Sequence, residues 1–245
     1  MKKRIDQLLV EKGLAETRSK AQALVIAGLV YVATKRIDKS SAAFTDDVVI
    51  EVKGKDHPYV SRGGVKLAAA LEQFNIIPTG WICLDVGAST GGFTDVLLRN
   101  GAKKIYAVDV GHNQLAYSLR ENPAVVVMEK TNARILDATL IPEAPDMVVC
   151  DASFISLKIA LPAALNLAKS SAWLVALIKP QFEVGKDLVG KGGIVRDPQL
   201  HTKVCDDIQA WLSDKMKWTI IGICESPITG AEGNKEFLIA ARKPA

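Results

Sequence analysis

The chain has 245 residues, 49% of them apolar and 24% charged, which excludes a disordered or fibrous protein and leaves room for one large domain or two smaller ones. Four scattered cysteines, Cys83, Cys150, Cys205 and Cys224, form no Cys-x-x-Cys pair, so neither a disulfide framework nor a metal site is expected. The net charge of +4 is unevenly placed: residues 1–56 hold eleven Lys/Arg against eight Asp/Glu, while the other 189 hold twenty against nineteen, so the front end suits an anionic partner.

After Lys2-Lys3-Arg4, polar residues Asp6, Gln7, Glu11 and Lys12 interrupt the chain, so no signal peptide is expected there. The longest apolar run, Ala172–Ile178, is too short to cross a bilayer. A cytoplasmic protein with no membrane role is the expectation. Ile5, Leu8 and Leu9, between Arg4 and Gly13, predict a short amphipathic helix, and Ala21, Leu24 and Val25, between Arg18 and Ala27, predict another. Gly28 suits the left-handed cap of the second. Strand-like runs follow at Leu29–Val32 and Val48–Val52. Residues 54–60, with Gly54-Lys55-Asp56-His57-Pro58 at their centre, predict a linker between a domain of residues 1–56 and one of residues 57–245.

Beyond the linker, apolar runs at Trp81–Val86, Ile105–Val110, Val125–Met128, Met147–Cys150 and Trp173–Ile178 alternate with helical patterns, among them Phe93–Arg99, Leu115–Glu121 and Leu157–Ala168. Such alternation predicts a mostly parallel sheet covered by helices on both faces. Trp218–Cys224 and Glu236–Ala241 have no helical pattern between them, and predict a final antiparallel pair.

Leu84-Asp85-Val86-Gly87-Ala88-Ser89-Thr90-Gly91-Gly92-Phe93 leads from a strand into a helix, where glycines let the backbone turn tightly and approach a ligand. Ser89 occupies the middle glycine of a dinucleotide fingerprint and argues against a pyrophosphate ligand. Asp109 closes the next strand, where a carboxylate can accept hydrogen bonds from ribose hydroxyls. The set resembles the cofactor site of class I S-adenosylmethionine methyltransferases. That resemblance implies a Rossmann-like α/β fold, S-adenosylmethionine as cofactor, and contacts from Asp85, Gly87, Ser89, Thr90, Gly91, Gly92, Phe93, Asp109 and Asn132.

Asp151-Ala152-Ser153-Phe154 lacks the prolines usual in amine methylation, and Cys150 has Val149 rather than proline before it, so it reads as a core thiol. Asp151 and Lys179 each close an apolar strand, Glu236 opens the last one, and Lys66 opens the helix before the first. Together they resemble the Lys-Asp-Lys-Glu tetrad of ribose 2′-O-methyltransferases of the FtsJ type. A ribose hydroxyl is a poor nucleophile whose attack must be in line, so orientation carries much of the rate. A partly desolvated lysine can orient the hydroxyl and accept its proton. Lys179 is assigned that role, with Asp151 and Glu236 positioning it and Lys66 balancing charge.

Longer blocks narrow the resemblance to the TlyA family, whose members are described both as haemolysins and as ribosomal RNA 2′-O-methyltransferases. They are Tyr59-Val60-Ser61-Arg62-Gly63-Gly64-Val65-Lys66-Leu67, Lys130-Thr131-Asn132-Ala133-Arg134, Asp151-Ala152-Ser153-Phe154-Ile155-Ser156 and Lys179-Pro180-Gln181-Phe182-Glu183-Val184-Gly185-Lys186, with Gly192-Gly193-Ile194-Val195 and Gly233-Asn234-Lys235-Glu236 beyond them. The front segment, with Arg4-Ile5-Asp6, Gly13-Leu14, Arg18-Ser19-Lys20-Ala21 and Ala27-Gly28-Leu29-Val30, resembles a small α+β S4-type RNA-binding domain. That implies ribosomal RNA or a ribosomal subunit as partner, with contacts from Lys3, Arg4, Arg18, Lys20, Lys35 and Arg36, and from Arg62 and Lys186 of the larger domain. Val32-Ala33-Thr34-Lys35-Arg36 departs from the family's Val-Asn-Gly turn. The chain resembles the shorter members, which implies a cytidine of the large-subunit RNA as target. Two other readings compete. A membrane-active haemolysin finds no spanning segment or strongly hydrophobic amphipathic helix here. A non-catalytic ribosome-assembly factor would not need the filled tetrad and glycine turn.

Overall fold

The computed structural model describes residues 2–53, 57–230 and 233–245, and for Lys186 the backbone alone. Residues 54–56 of the expected linker lie outside the described residues. The chain forms two compact units that meet in sequence at Pro58 and Tyr59.

In the first unit, β1 (Lys2–Arg4) runs into α1 (Ile5–Glu11), and α2 (Arg18–Ile26) follows. Thr17 starts α2 by accepting the Lys20 N–H at 3.2 Å. β2 (Val30–Val32) lies between β3 (Lys35–Arg36) and β5 (Ile50–Val52), all antiparallel, while β4 (Ala43–Thr45) pairs with β1. Ile5, Leu9, Ala21, Val25, Val30 and Ile37 form the core. Neither β1 nor β3 has a legible apolar pattern, because both are short and carry Lys and Arg. The turn between β2 and β3 is tight despite lacking Asn-Gly: Val32 pairs with Lys35, and Ala33 takes the left-handed φ of 53° itself.

The second unit opens with α3 (Gly63–Gln73), then alternates β6 (Ile82–Val86), α4 (Gly92–Arg99), β7 (Lys104–Val108), α5 (Tyr117–Arg120), β8 (Val125–Met128) and β9 (Met147–Cys150). The single helix expected over Leu157–Ala168 is two, α6 (Leu157–Ala160) and α7 (Pro162–Leu167). Pro162 has no N–H to continue a helix and instead starts the second at its first turn. β10 (Trp173–Ile178), α8 (Pro180–Glu183), α9 (Pro198–Ala210), β11 (Thr219–Glu225) and β12 (Phe237–Arg242) complete it. The sheet order is β11-β12-β10-β9-β6-β7-β8. β12 is antiparallel to both its neighbours, and the pairings from β10 through β8 are parallel.

Alternate residues of each strand feed two cores. Leu84, Val86, Leu174 and Ile239 pack with Leu161, just before α7, Leu165 of α7, and Val204 and Ile208 of α9. Cys83, Val149, Val175, Leu177 and Leu238 pack with Leu67 and Leu71 of α3 and Val96 and Leu97 of α4. Lys243, just past β12, donates to the carbonyls of Leu165 at 3.1 Å and Ala168 at 2.7 Å, closing the C-terminal end of α7. Among the described residues no helix is long and apolar enough to cross a membrane.

Candidate active site

β6, β7, β9 and β10 run in one direction, so the segments that leave them gather at one edge of the sheet. There they surround a cleft of about 450 Å³, within the range of small-molecule sites. Gly87, Ser89, Asp109, Gly111, Gln114, Asn132, Arg134 and the stretch Asp151–Ile155 line it.

The glycine turn brings the first wall close. Gly87 has φ 82°, and a Cβ there would stand 3.0 Å from the Ala152 backbone, which only glycine permits. Gly91 caps α4 at φ 96°, and a side chain there would collide with Leu119. Gly92 lets the start of α4 meet Ser61 and Gly64. Ser89 takes φ 47° without being glycine, and its N–H donates to Oδ2 of Asp109 at 2.8 Å. Oδ1 of Asp109 accepts the Gly111 N–H at 2.7 Å. The expected ribose ligand thus also braces two loops, and each oxygen keeps a second lone pair. Asn132 caps the turn Ala133–Ile135, accepting the Arg134 N–H at 3.1 Å, and it lines the cleft.

Five expected cofactor residues do not line the cleft. Phe93 is corrected: its ring is 3% exposed and belongs to the core with Leu67 and Val96. Thr90, Gly91 and Gly92 shape the turn through the backbone, Thr90 by accepting the Ala116 N–H at 3.1 Å. Asp85 is fully enclosed behind the turn. Its Oδ2 accepts from Thr94 Oγ1 at 2.6 Å, while Oδ1 is buried with no partner. Burial pushes its carboxyl up to about 7, and the neighbouring charges of Asp151 and Asp109 add to the rise.

Glu129, just past β8, was not anticipated. Its Oε atoms accept the backbone N–H groups of Asn113 at 2.7 Å and Gln114 at 2.9 Å, and Arg120 sits at 2.6 Å. Burial opposes its ionisation, yet these donors prevail and hold the carboxyl down at about 2. The loop carrying Gly111 and Gln114 is therefore pinned. Glu129 ends a strand in an acid, as Asp109 and Asp151 do, and that signal was available in the sequence.

The four tetrad candidates form two ion pairs. Nζ of Lys179 forms an ion pair with Oδ1 of Asp151 at 2.6 Å. The same Nζ donates to Ser153 Oγ at 2.8 Å and to the Asp151 carbonyl at 3.3 Å. Lys66 donates to Glu236 at 2.6 Å, and both are nearly enclosed, at 8% and 2% exposed. Glu236 therefore partners Lys66, whereas the sequence reading had it positioning Lys179. The pairs share one place. Ile178 pairs with Phe237, which sets Lys179 beside Glu236 along the same register. A Cβ on Gly63, one turn before Lys66, would lie 3.6 Å from Oδ2 of Asp151. Cys150 is fully buried and its thiol is pushed up to about 12 by that burial, which fits a core residue.

The expected RNA contacts of the first unit are largely occupied. Arg4 and Arg18 converge on the enclosed Asp6, at 3.0 and 3.1 Å, and Gln22 joins them at 3.0 Å. The Arg4 guanidinium foremost holds the Asp6 carboxyl far below its usual range. Lys3 pairs with Glu11 and Asp46, Lys20 with Glu16, and Arg36 with Asp38. Lys35 is exposed beside the β2–β3 turn, Arg62 is half-buried ahead of α3, and the Lys186 side chain lies outside the described residues.

The S4 domain family matches residues 3–49 and the FtsJ-like methyltransferase family matches residues 59–243. The chain is 45% identical over 240 residues to the 16S/23S rRNA (cytidine-2′-O)-methyltransferase TlyA of Mycobacterium tuberculosis, covering 98% of this chain and 89% of that protein. It is 42% identical to Hemolysin A of Brachyspira hyodysenteriae, covering 96% of this chain and 98% of that one. A solved structure described as a candidate hemolysin of Streptococcus thermophilus superposes with a TM-score of 0.78 at 43% identity, covering 99% of this chain and 89% of that one.

Proposed function

The chain belongs to the TlyA family, in which an S4 domain precedes an FtsJ-like methyltransferase domain, and on that footing we propose that it methylates a ribose 2′-hydroxyl of ribosomal RNA with S-adenosylmethionine. The target is a cytidine of the large-subunit RNA. The observation that carries the reading is the two ion pairs, Lys179–Asp151, with Asp151 on the cleft wall, and the buried Lys66–Glu236.

The residues fit the cofactor. A sulfonium nucleoside with an amino group is cationic at two points and needs acceptors. The site supplies Asp109 and Asp151 on the cleft, with the unpartnered Oδ1 of Asp85 behind it. Gly87 leaves its side of the cleft open where any side chain would meet Ala152. Asp109 would hold the ribose, and Asp85 the methionine end. When bound, the cofactor supplies an electrophilic methyl group.

The protein's part is orientation and charge. Ser153 and Asp151 fix Nζ of Lys179 at the cleft rim, so a 2′-hydroxyl presented there meets a held donor. In-line placement of two reactants supplies much of a methyl-transfer rate. The hydroxyl proton leaves toward the Lys179–Asp151 pair. Lys66 and Glu236 balance each other's charge. Phe154, 90% exposed on the cleft wall, offers a face for a base. Lys35, Arg62 and Lys186 are assigned to RNA phosphates, with Lys3, Arg4, Arg18, Lys20 and Arg36 contributing the donors their carboxylates leave over.

Single-turnover transfer of labelled methyl to ribosomal RNA, followed by mapping of ribose methylation, tests the reading. Lys179→Ala should lower the rate by roughly two to four orders of magnitude while cofactor and RNA still bind. Lys179→Arg should fail too, because a guanidinium stays charged. Wild-type rates from Lys179→Ala would remove the 2′-hydroxyl mechanism.

A further inference from the structure

The two segments that carry the proposed catalytic pair leave neighbouring strands, Asp151 following β9 and Lys179 following β10. The Asp151 segment runs irregularly to α6 at Leu157, whereas Lys179 enters α8 at once, so sheet register alone does not fix their spacing beyond the strand ends. Three contacts lace them together in sequence order. The first is Lys179 with Asp151 and Ser153. The second is the tilted packing of Phe182 on Phe154, with ring centroids 5.1 Å apart. In the third, Glu183 at the end of α8 accepts Ser156 Oγ at 2.6 Å and the Leu157 N–H at 2.8 Å.

The third contact is chemically the most costly and structurally the most specific. Burial pushes the Glu183 carboxyl up, partly offset by its hydrogen bonds to Ser156 and Leu157. A carboxylate is expensive to enclose unless its hydrogen bonds compensate. Ser156 caps α6, its Oγ accepting the Lys158 N–H at 3.2 Å, so Glu183 reaches the residue that sets where the Asp151 segment turns into a helix. From Asp151 to Ser156 and from Lys179 to Glu183 the chain closes a loop, with the ion pair at one end and the Glu183 bonds at the other. Loosening one end lets the other drift.

We propose that Glu183 is a positioning residue for methyl transfer, which holds the Asp151 and Lys179 segments at the separation the reaction needs. This rests on the methyl-transfer reading above. Glu183 touches neither cofactor nor hydroxyl in this scheme, so its effect falls on the rate and not on binding.

The test measures single-turnover methyl transfer, cofactor affinity, RNA affinity and Tm for the full chain. The variants are Glu183→Ala, Glu183→Gln, Ser156→Ala, the Glu183→Ala/Ser156→Ala pair, and Lys243→Ala as a destabilised control remote from the site. Glu183→Ala should slow transfer about 100-fold, the scale expected for ångström misplacement. Both affinities should stay within about threefold of wild type. Glu183→Gln keeps an acceptor for Leu157 and an amide for Ser156, and should recover most of the rate. The double variant should be no slower than Glu183→Ala alone. Wild-type speed in Glu183→Ala overturns the inference, as does a loss that merely follows Tm as in Lys243→Ala. If the wild type itself transfers no methyl group, the methyl-transfer reading falls and the positioning role falls with it.

Discussion

Asp85 shows how much a single carboxyl can report about a site. One oxygen is held by Thr94 and the other has nothing, in a fully enclosed position. Its folded value of about 7 lies above the ordinary 3.8, so the protonated form stabilises the fold at low pH. That contribution is fully present below the ordinary value and is lost as pH rises through about 7. In the cofactor-free protein, wild-type Tm should therefore fall between pH 5 and pH 8 more than that of Asp85→Asn, which cannot ionise. The gap at high pH should be on the order of a few kcal/mol. Parallel pH curves for the two proteins would show that Asp85 is already ionised in the empty site. With cofactor present the order should reverse, since Asp85→Asn loses a charged acceptor and should bind it about ten- to a hundredfold more weakly.

At this scale the sequence spoke through position rather than residue type. Asp109, Asp151 and Lys179 were legible because each interrupts an apolar run at the strand end, where ligands bind in such sheets. The partners of these groups were not. Nothing in the spacing couples Lys66 to Glu236 across 170 residues, and only the fold reveals that Glu236 serves Lys66. The S4 resemblance assigns basic residues of the first unit to RNA without revealing their acidic neighbours, such as Asp6, enclosed between Arg4 and Arg18.

At the scale of elements, the long apolar strands β6, β9 and β10 emerged near their expected bounds, because fully buried strands leave continuous runs. Boundaries failed where polar chemistry decides. α9 begins at an Asp197 cap with Pro198 behind it, but its apolar positions Val204, Cys205 and Ile208 are too sparse to announce thirteen residues of helix. The β2–β3 turn closed on Ala33 against its preference. An L-residue at φ 53° is strained, so Ala33→Gly should stabilise the first unit by about 0.5–1 kcal/mol. Thermal or denaturant unfolding of the intact protein, followed by a probe in that unit, measures this. No gain would mean that the unfolded-chain entropy of glycine cancels the relief.

For the whole molecule, the division at Pro58 and Tyr59 gives each unit its own core. A protein lacking residues 1–58 should fold, bind cofactor with unchanged affinity and methylate ribosomal RNA poorly. Isothermal titration and transfer assays on the same preparation check both halves of that statement. Full-rate methylation by the truncated protein would remove the first unit as the RNA anchor. Binding of RNA by the intact chain should also weaken steeply with salt, as phosphate contacts release counterions.

The sheet order carries a consequence for biosynthesis. β12, last of the strands along the chain, is inserted between β10 and β11. While the polypeptide is still emerging, β11 has no neighbour to join, and β10 presents a bare edge of apolar residues. Glu236 arrives just ahead of β12, so Lys66 waits without its counter-charge while 170 further residues are made. Such late, long-range pairing is slow and exposes sticky surface meanwhile. Until β12 joins the sheet, the proposed site lacks Glu236.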